Sequence, residues 1–177
     1  MKINRVIINL LIIIFLAIIQ IAFLSKFNYL NYFNLILSSI ILISININDF
    51  RLSLFWAVIG GFFMDLYSFL PFGTFILTLI LLVFIINLLV KNFLPSTSLL
   101  SVVALGIIGI SFYNLFLLLI TKLFYFFKII DFNFILNKNN FVAIGWSLLF
   151  NLILILVLFW ARKSIKKYER PFYYPSR

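Results

Sequence analysis

The chain has 177 residues, 66% of them hydrophobic, and a mean hydropathy of +1.25, well above the roughly 45–50% apolar content of a soluble domain. It contains no cysteine and no histidine, which excludes disulfides, thiolate nucleophiles, Cys/His metal sites and imidazole acid–base chemistry. The formal charge of +10 comes from 14 Lys and Arg against 4 acidic residues; the basic residues punctuate the ends of apolar runs, a pattern that suits membrane topology and lipid headgroups and argues against nucleic acid.

At about 20 residues per membrane-spanning helix, the sequence predicts an all-α fold. It reads as a polytopic transmembrane bundle of about six helices, a single domain over residues 1–161 followed by a basic cytoplasmic tail, 162–177. Met1-Lys2-Ile3-Asn4-Arg5 leads into an apolar run over 6–24 with no small-x-small cleavage site after it, so this is expected to be a retained first span. After the turn at Ser25-Lys26-Phe27-Asn28, a second span is expected over 29–47, ended by Asn46, Asn48, Asp49 and Arg51. The third, 52–70, closes at Pro71-Phe72-Gly73, where proline cannot continue the helical ladder and glycine permits a reversal.

A fourth span over 74–90 follows at once. Lys91-Asn92 and Pro95-Ser96-Thr97-Ser98 break the pattern, and Ser98 is placed to cap a fifth span over 99–121. Residues 122–140 are rich in Phe but carry Lys128, Asp131 and Lys138, and are expected to form an interfacial outer segment. The sixth span is expected over 141–161. With the N-terminus inside, this arrangement puts ten Lys and Arg on the inner side and leaves only Lys26, Lys122, Lys128 and Lys138 outside. Both termini are therefore expected in the cytoplasm.

Three of the acidic residues, Asp49, Asp131 and Glu169, fall at span ends or in the tail, whereas Asp65 lies within the third span. An ionisable group at that depth costs roughly 2.5–3.5 kcal/mol on insertion scales and faces protein or water rather than lipid. Ser53, Ala57, Gly61 and Asp65 recur every four residues and share one helix face, with Gly60 beside them. Small residues of this kind let membrane helices approach closely. Ser53, Ala57, Gly60, Gly61, Asp65 and the turn residue Gly73 thus form a candidate helix-packing or partner interface.

Asp65 is fourteen residues beyond Arg51, about 21 Å along a helix, which places it in the outer leaflet. Gln20 and Asn114 lie at similar depth and are the candidate partners for its carboxyl group. Two roles are open to Asp65: sealing the Pro71/Gly73 hairpin by bonding its backbone amides, or acting in a proton relay or substrate site. Gly106 and Gly109, with Ser101 and Ala104, give the fifth span a packing patch. Trp56, Trp146 and Trp160 read as interface anchors or lipid-facing bulk.

The stretch Gly60-Gly61-Phe62-Phe63-Met64-Asp65-Leu66-Tyr67-Ser68-Phe69-Leu70-Pro71-Phe72-Gly73-Thr74 resembles the signature of MreD, the rod shape-determining membrane protein family: a glycine-bearing span, an Asp-Leu pair, a short turn with Gly and another apolar span. The basic N-terminus and basic tail also fit. Two departures stand beside the match: the second span lacks a proline near its start, and the Phe-rich outer segment is long. The resemblance implies a non-catalytic scaffold of the bacterial cell-elongation machinery in the inner membrane, with no cofactor and no metal. Its implied partners are a bitopic MreC-like protein and, through it, MreB, RodA and a class B penicillin-binding protein.

The family's fold is similar to the substrate-binding S component of energy-coupling-factor vitamin transporters, and this supplies the alternative function. An S component needs an outward pocket of convergent polar groups; only Gln20, Asp65, Tyr67, Thr74, Tyr113 and Asn114 could build one. Ala17 and Ala22 lie five apart, whereas S components tend to carry alanines four apart for docking. An intramembrane enzyme or ion carrier is disfavoured, because a lone carboxylate without a second acid, His or buried cation provides no acid–base pair.

Overall fold

The computed structural model of the chain describes residues 14–20, 32–46, 49–92, 98–130 and 138–168. These residues form six α-helices and no strand: α1 (residues 14–20), α2 (Leu35–Asn46), α3 (Phe50–Leu66), α4 (Thr74–Asn92), α5 (Leu99–Phe126) and α6 (Lys138–Tyr168). Three stretches, Thr74–Asn92, Leu99–Phe126 and Val142–Ala161, are long and apolar enough to cross a membrane. The chain is therefore read as a membrane protein. The remainder of the expected first span, the turn at Ser25–Asn28, the Pro95 break, residues 131–137 of the outer segment and the tail from 169 lie outside the described residues.

α2 is the hub, packing against α3, α4, α5 and α6. Eight of its twelve residues are buried, so it is apolar on every side because every side meets protein. It is also shorter than the expected span over 29–47, because Asn34 starts it. The Asn34 carbonyl accepts from Ser38 N–H at 3.0 Å and its side-chain oxygen accepts from Leu37 N–H at 2.9 Å, the arrangement of an N-cap.

Capping chemistry sets most of the other boundaries. Asp49 caps α3 through the Arg51 amide, 3.0 Å from Oδ1. Ser98 caps α5, accepting from Ser101 N–H at 3.1 Å, as the sequence predicts. At the far end α5 runs past Thr121 to Phe126, so Lys122–Phe126 of the expected outer segment continue the helix. It closes with Ile129 N–H on Phe124 C=O at 2.9 Å and Lys128 N–H on Tyr125 C=O at 3.0 Å. These two bonds form a Schellman motif, and Lys128 occupies its left-handed position at φ 56°. α6 extends beyond the expected sixth span at both ends, so the first part of the basic tail, through Tyr168, is helical.

The core is aliphatic, centred on Leu37, Ile40, Ile41 and Ile45 of α2, Leu79, Leu82 and Ile86 of α4, and Leu105 and Ile110 of α5. Trp56 corrects the expectation of an interface anchor: it is fully buried, and its indole N–H has no hydrogen-bond acceptor among the described residues. Its apolar bulk fills space between helices that its polar edge does not use. Trp146 and Trp160, by contrast, are 44% and 62% exposed.

Candidate functional site

Two polar constellations are set into this apolar bundle. The first is the α3–α4 hairpin, whose helices form the most extensive pairing among the described elements. Ser53, Ala57, Gly60, Gly61 and Asp65 are all buried. A methyl group placed on Gly61 would lie 2.6 Å from the Cα and 2.8 Å from the N of Ile76. The absence of a side chain is what lets the α4 backbone come this close. Gly60 faces the other way, with Ile36 and Ile40 of α2 against it. The small-residue stripe is thus occupied by this chain's own helices.

Asp65 sits at the top of that contact, 4% exposed. Phe75 N–H donates to Oδ1 at 2.9 Å and Ile76 N–H donates to Oδ2 at 3.1 Å. The first amides of a helix have no partner within the helix. Here Thr74 N–H finds Pro71 C=O at 3.2 Å and Leu77 N–H finds Gly73 C=O at 2.9 Å. The carboxylate takes the two amides between them, so all four are satisfied. The arrangement matches charge as well as geometry, because a helix N-terminus carries partial positive charge. Gly73, at φ 99°, makes the reversal that an L side chain rarely adopts. Thr74 Oγ1 donates back to Pro71 C=O at 2.6 Å.

The expected side-chain partners of Asp65 are engaged elsewhere. Gln20 Oε1 accepts from Ile36 N–H at 3.2 Å, and Asn114 Nδ2 donates to its own helix at Ile110 C=O, 2.9 Å away. Both oxygens of Asp65 are already matched to amides that nothing else satisfies, which is the physical reason the pairing runs to the backbone of α4.

The second constellation, at the start of α2, joins residues that sequence reasoning did not bring together. Asn151 of α6 is completely buried. Its Oδ1 accepts from Asn34 N–H at 2.7 Å and from Ser38 Oγ at 3.1 Å. Its Nδ2 donates to Tyr32 C=O at 3.0 Å and to Ser147 C=O at 2.7 Å. Asn34 Nδ2 in turn donates to the hydroxyl of Tyr113 on α5 at 3.3 Å. Together with Gln20 on the Ile36 amide, these bonds gather α1, α5 and α6 around the N-terminus of α2. Beside them Phe150 stacks on Trp146 at 5.5 Å and meets Phe33 at a tilt, 4.6 Å away. The signal in the sequence was an isolated Asn in an apolar helix, a residue that must find partners inside a membrane.

Asp65 is bonded to backbone, and the Asn151 group contains amides and hydroxyls only. Among the described residues no three His, Cys, Asp or Glu side chains are grouped so as to hold a metal ion. No protein-family model matches the chain, and no curated protein or solved structure does.

Of the six residues from which an outward pocket could be built, Gln20, Asp65, Thr74, Tyr113 and Asn114 all take part in the internal hydrogen bonds described above. Tyr67 points outward, 64% exposed. Asp65, Gln20 and Tyr113 bond across helices, whereas Asn114 and Thr74 bond within their own segments.

Proposed function

We propose that this chain is a non-catalytic scaffold of the bacterial cell-elongation machinery, resembling MreD. In this reading it is a multi-pass protein of the inner membrane, has both termini in the cytoplasm, and recruits a bitopic MreC-like partner that links it to MreB, RodA and a class B penicillin-binding protein. The observation that carries the proposal is the hairpin. The fifteen residues that resemble the MreD signature are the ones that build the Gly61 contact, the Asp65 cap and the Gly73 reversal, so the motif acts as a rigid structural unit. A scaffold needs a fixed surface more than it needs a reactive group.

The alternative of a vitamin-binding S component draws less support, because the polar groups it would use are bonded internally. The discriminating experiment purifies the full-length protein and challenges it separately with a single-span coiled-coil protein of the MreC kind and with a panel of vitamins. The scaffold reading predicts stable co-purification with the former and no tight binding of the latter. Tight vitamin binding, or absence of any complex with the bitopic protein, would overturn it.

A further inference from the structure

At the opposite end of the hairpin from Asp65, the start of α3 and the end of α4 form an open groove lined by Phe50, Phe84, Asn87, Leu88 and Lys91. Four of these residues are at positions i, i+3, i+4 and i+7 of α4, one helix face. Along the helix, exposed Phe84 and Leu88 supply apolar surface, half-buried Asn87 sits between them, and exposed Lys91 stands in the last turn. Phe50 closes the wall, meeting Phe84 edge-on at 6.2 Å. Among the described residues no carboxylate lines the groove, and neighbouring Asp49 is turned to the Arg51 amide.

A wall of Phe84, Leu88 and Phe50 that carries an amide midway and ends in an ammonium, over about 10 Å of helix, complements an amphiphile with an acyl chain at one end and an anionic headgroup at the other. We infer that this groove binds one anionic phospholipid of the inner leaflet. Its phosphate meets Lys91 and Asn87, and its first acyl segment lies along Phe84 and Leu88. Basic pockets between membrane helices on the cytoplasmic side take anionic headgroups in this manner. The inference rests on the membrane orientation proposed above.

The test reconstitutes the full-length protein in phosphatidylcholine vesicles doped with phosphatidylglycerol. The protein is then extracted in mild detergent and weighed with its retained lipid by native mass spectrometry. Wild type is expected to keep one phosphatidylglycerol in preference to phosphatidylcholine. Lys91→Gln should lower that preference about five-fold, the equivalent of the ~1 kcal/mol a basic residue contributes at an anionic surface. Asn87→Leu should lower it as well, while Lys122→Gln, at the other end of the bundle, should leave it unchanged. No preference in wild type, or an equal loss in Lys122→Gln, would overturn the groove assignment. Vesicle flotation separates the two levels: protein that floats but shows no preference refutes the groove alone, and protein that fails to float refutes the membrane reading with it.

Discussion

The hairpin of α3 and α4 and the polar group at the start of α2 solve one problem over different chain distances. In both, a helix begins inside an apolar environment and a side chain supplies the acceptors its first amides need. Asp65 reaches only ten and eleven residues forward, so its task is confined to one turn. Asn151 reaches back 113 to 119 residues, so its bonds form only once the bundle has assembled. The hairpin sets local geometry, and the α2 group fixes how distant helices meet.

Substitutions can break this contrast, and the largest effect is expected at Gly61. Gly61→Leu drives a side chain into the backbone of Ile76, which cannot rotate away, and should cost about 3 kcal/mol or more. Gly60→Ala meets side chains alone, the Ile40 Cδ1 terminus and the stiffer Ile36 Cγ2 methyl, and should cost about 1–2 kcal/mol. Unfolding in mixed detergent would rank them, and equal losses would contradict the assignment of Gly61 to the α4 backbone.

Next comes Asp65→Ala, which leaves two buried amides unpaired, each costing roughly 1–3 kcal/mol, and so should cost about 2 kcal/mol or more. Asp65→Asn keeps one acceptor oxygen, so about half of that loss is expected and the protein should still insert. Asn151→Leu removes every bond of the α2 group that runs to α6. Membrane hydrogen bonds average well under their nominal worth, so about 2 kcal/mol is expected. It should loosen α6 from α2 while leaving the hairpin intact, which cysteine cross-linking of introduced pairs would report. The smallest effect is a gain: Lys128→Gly places glycine at the left-handed position that closes α5 and should stabilise the protein by roughly 1 kcal/mol.

The same difference in chain distance explains what was legible in the sequence. The α3–α4 reversal could be read because Pro71, Gly73 and Asp65 are neighbours in sequence and each has a local preference. The start of α4 at Thr74 agrees with the expected span, and Ser98 caps α5 as expected. The start of α2 was placed too early because Tyr29, Leu30, Tyr32 and Phe33 read as part of the apolar run, and only the cap at Asn34 decides where the helix begins. The grouping of Asn34, Ser38, Ser147 and Asn151 was not legible, since nothing in a linear pattern shows that residues over a hundred apart share one hydrogen-bond group. Gln20 and Asn114 were matched to Asp65 by depth, and depth alone does not reveal that an unpaired helix terminus lies nearer. Trp56 followed the general habit of membrane tryptophans, and its full burial shows only in the assembled bundle.

The central claim is that Asp65 belongs to the framework of the hairpin. The most direct measurement is hydrogen exchange at the Phe75 and Ile76 amides, resolved by NMR in lipid nanodiscs for wild type and Asp65→Ala. Strong protection of both amides in wild type, lost at these two positions in the variant while the middle of α4 stays protected, is the predicted result. Protection unchanged by the substitution would contradict it.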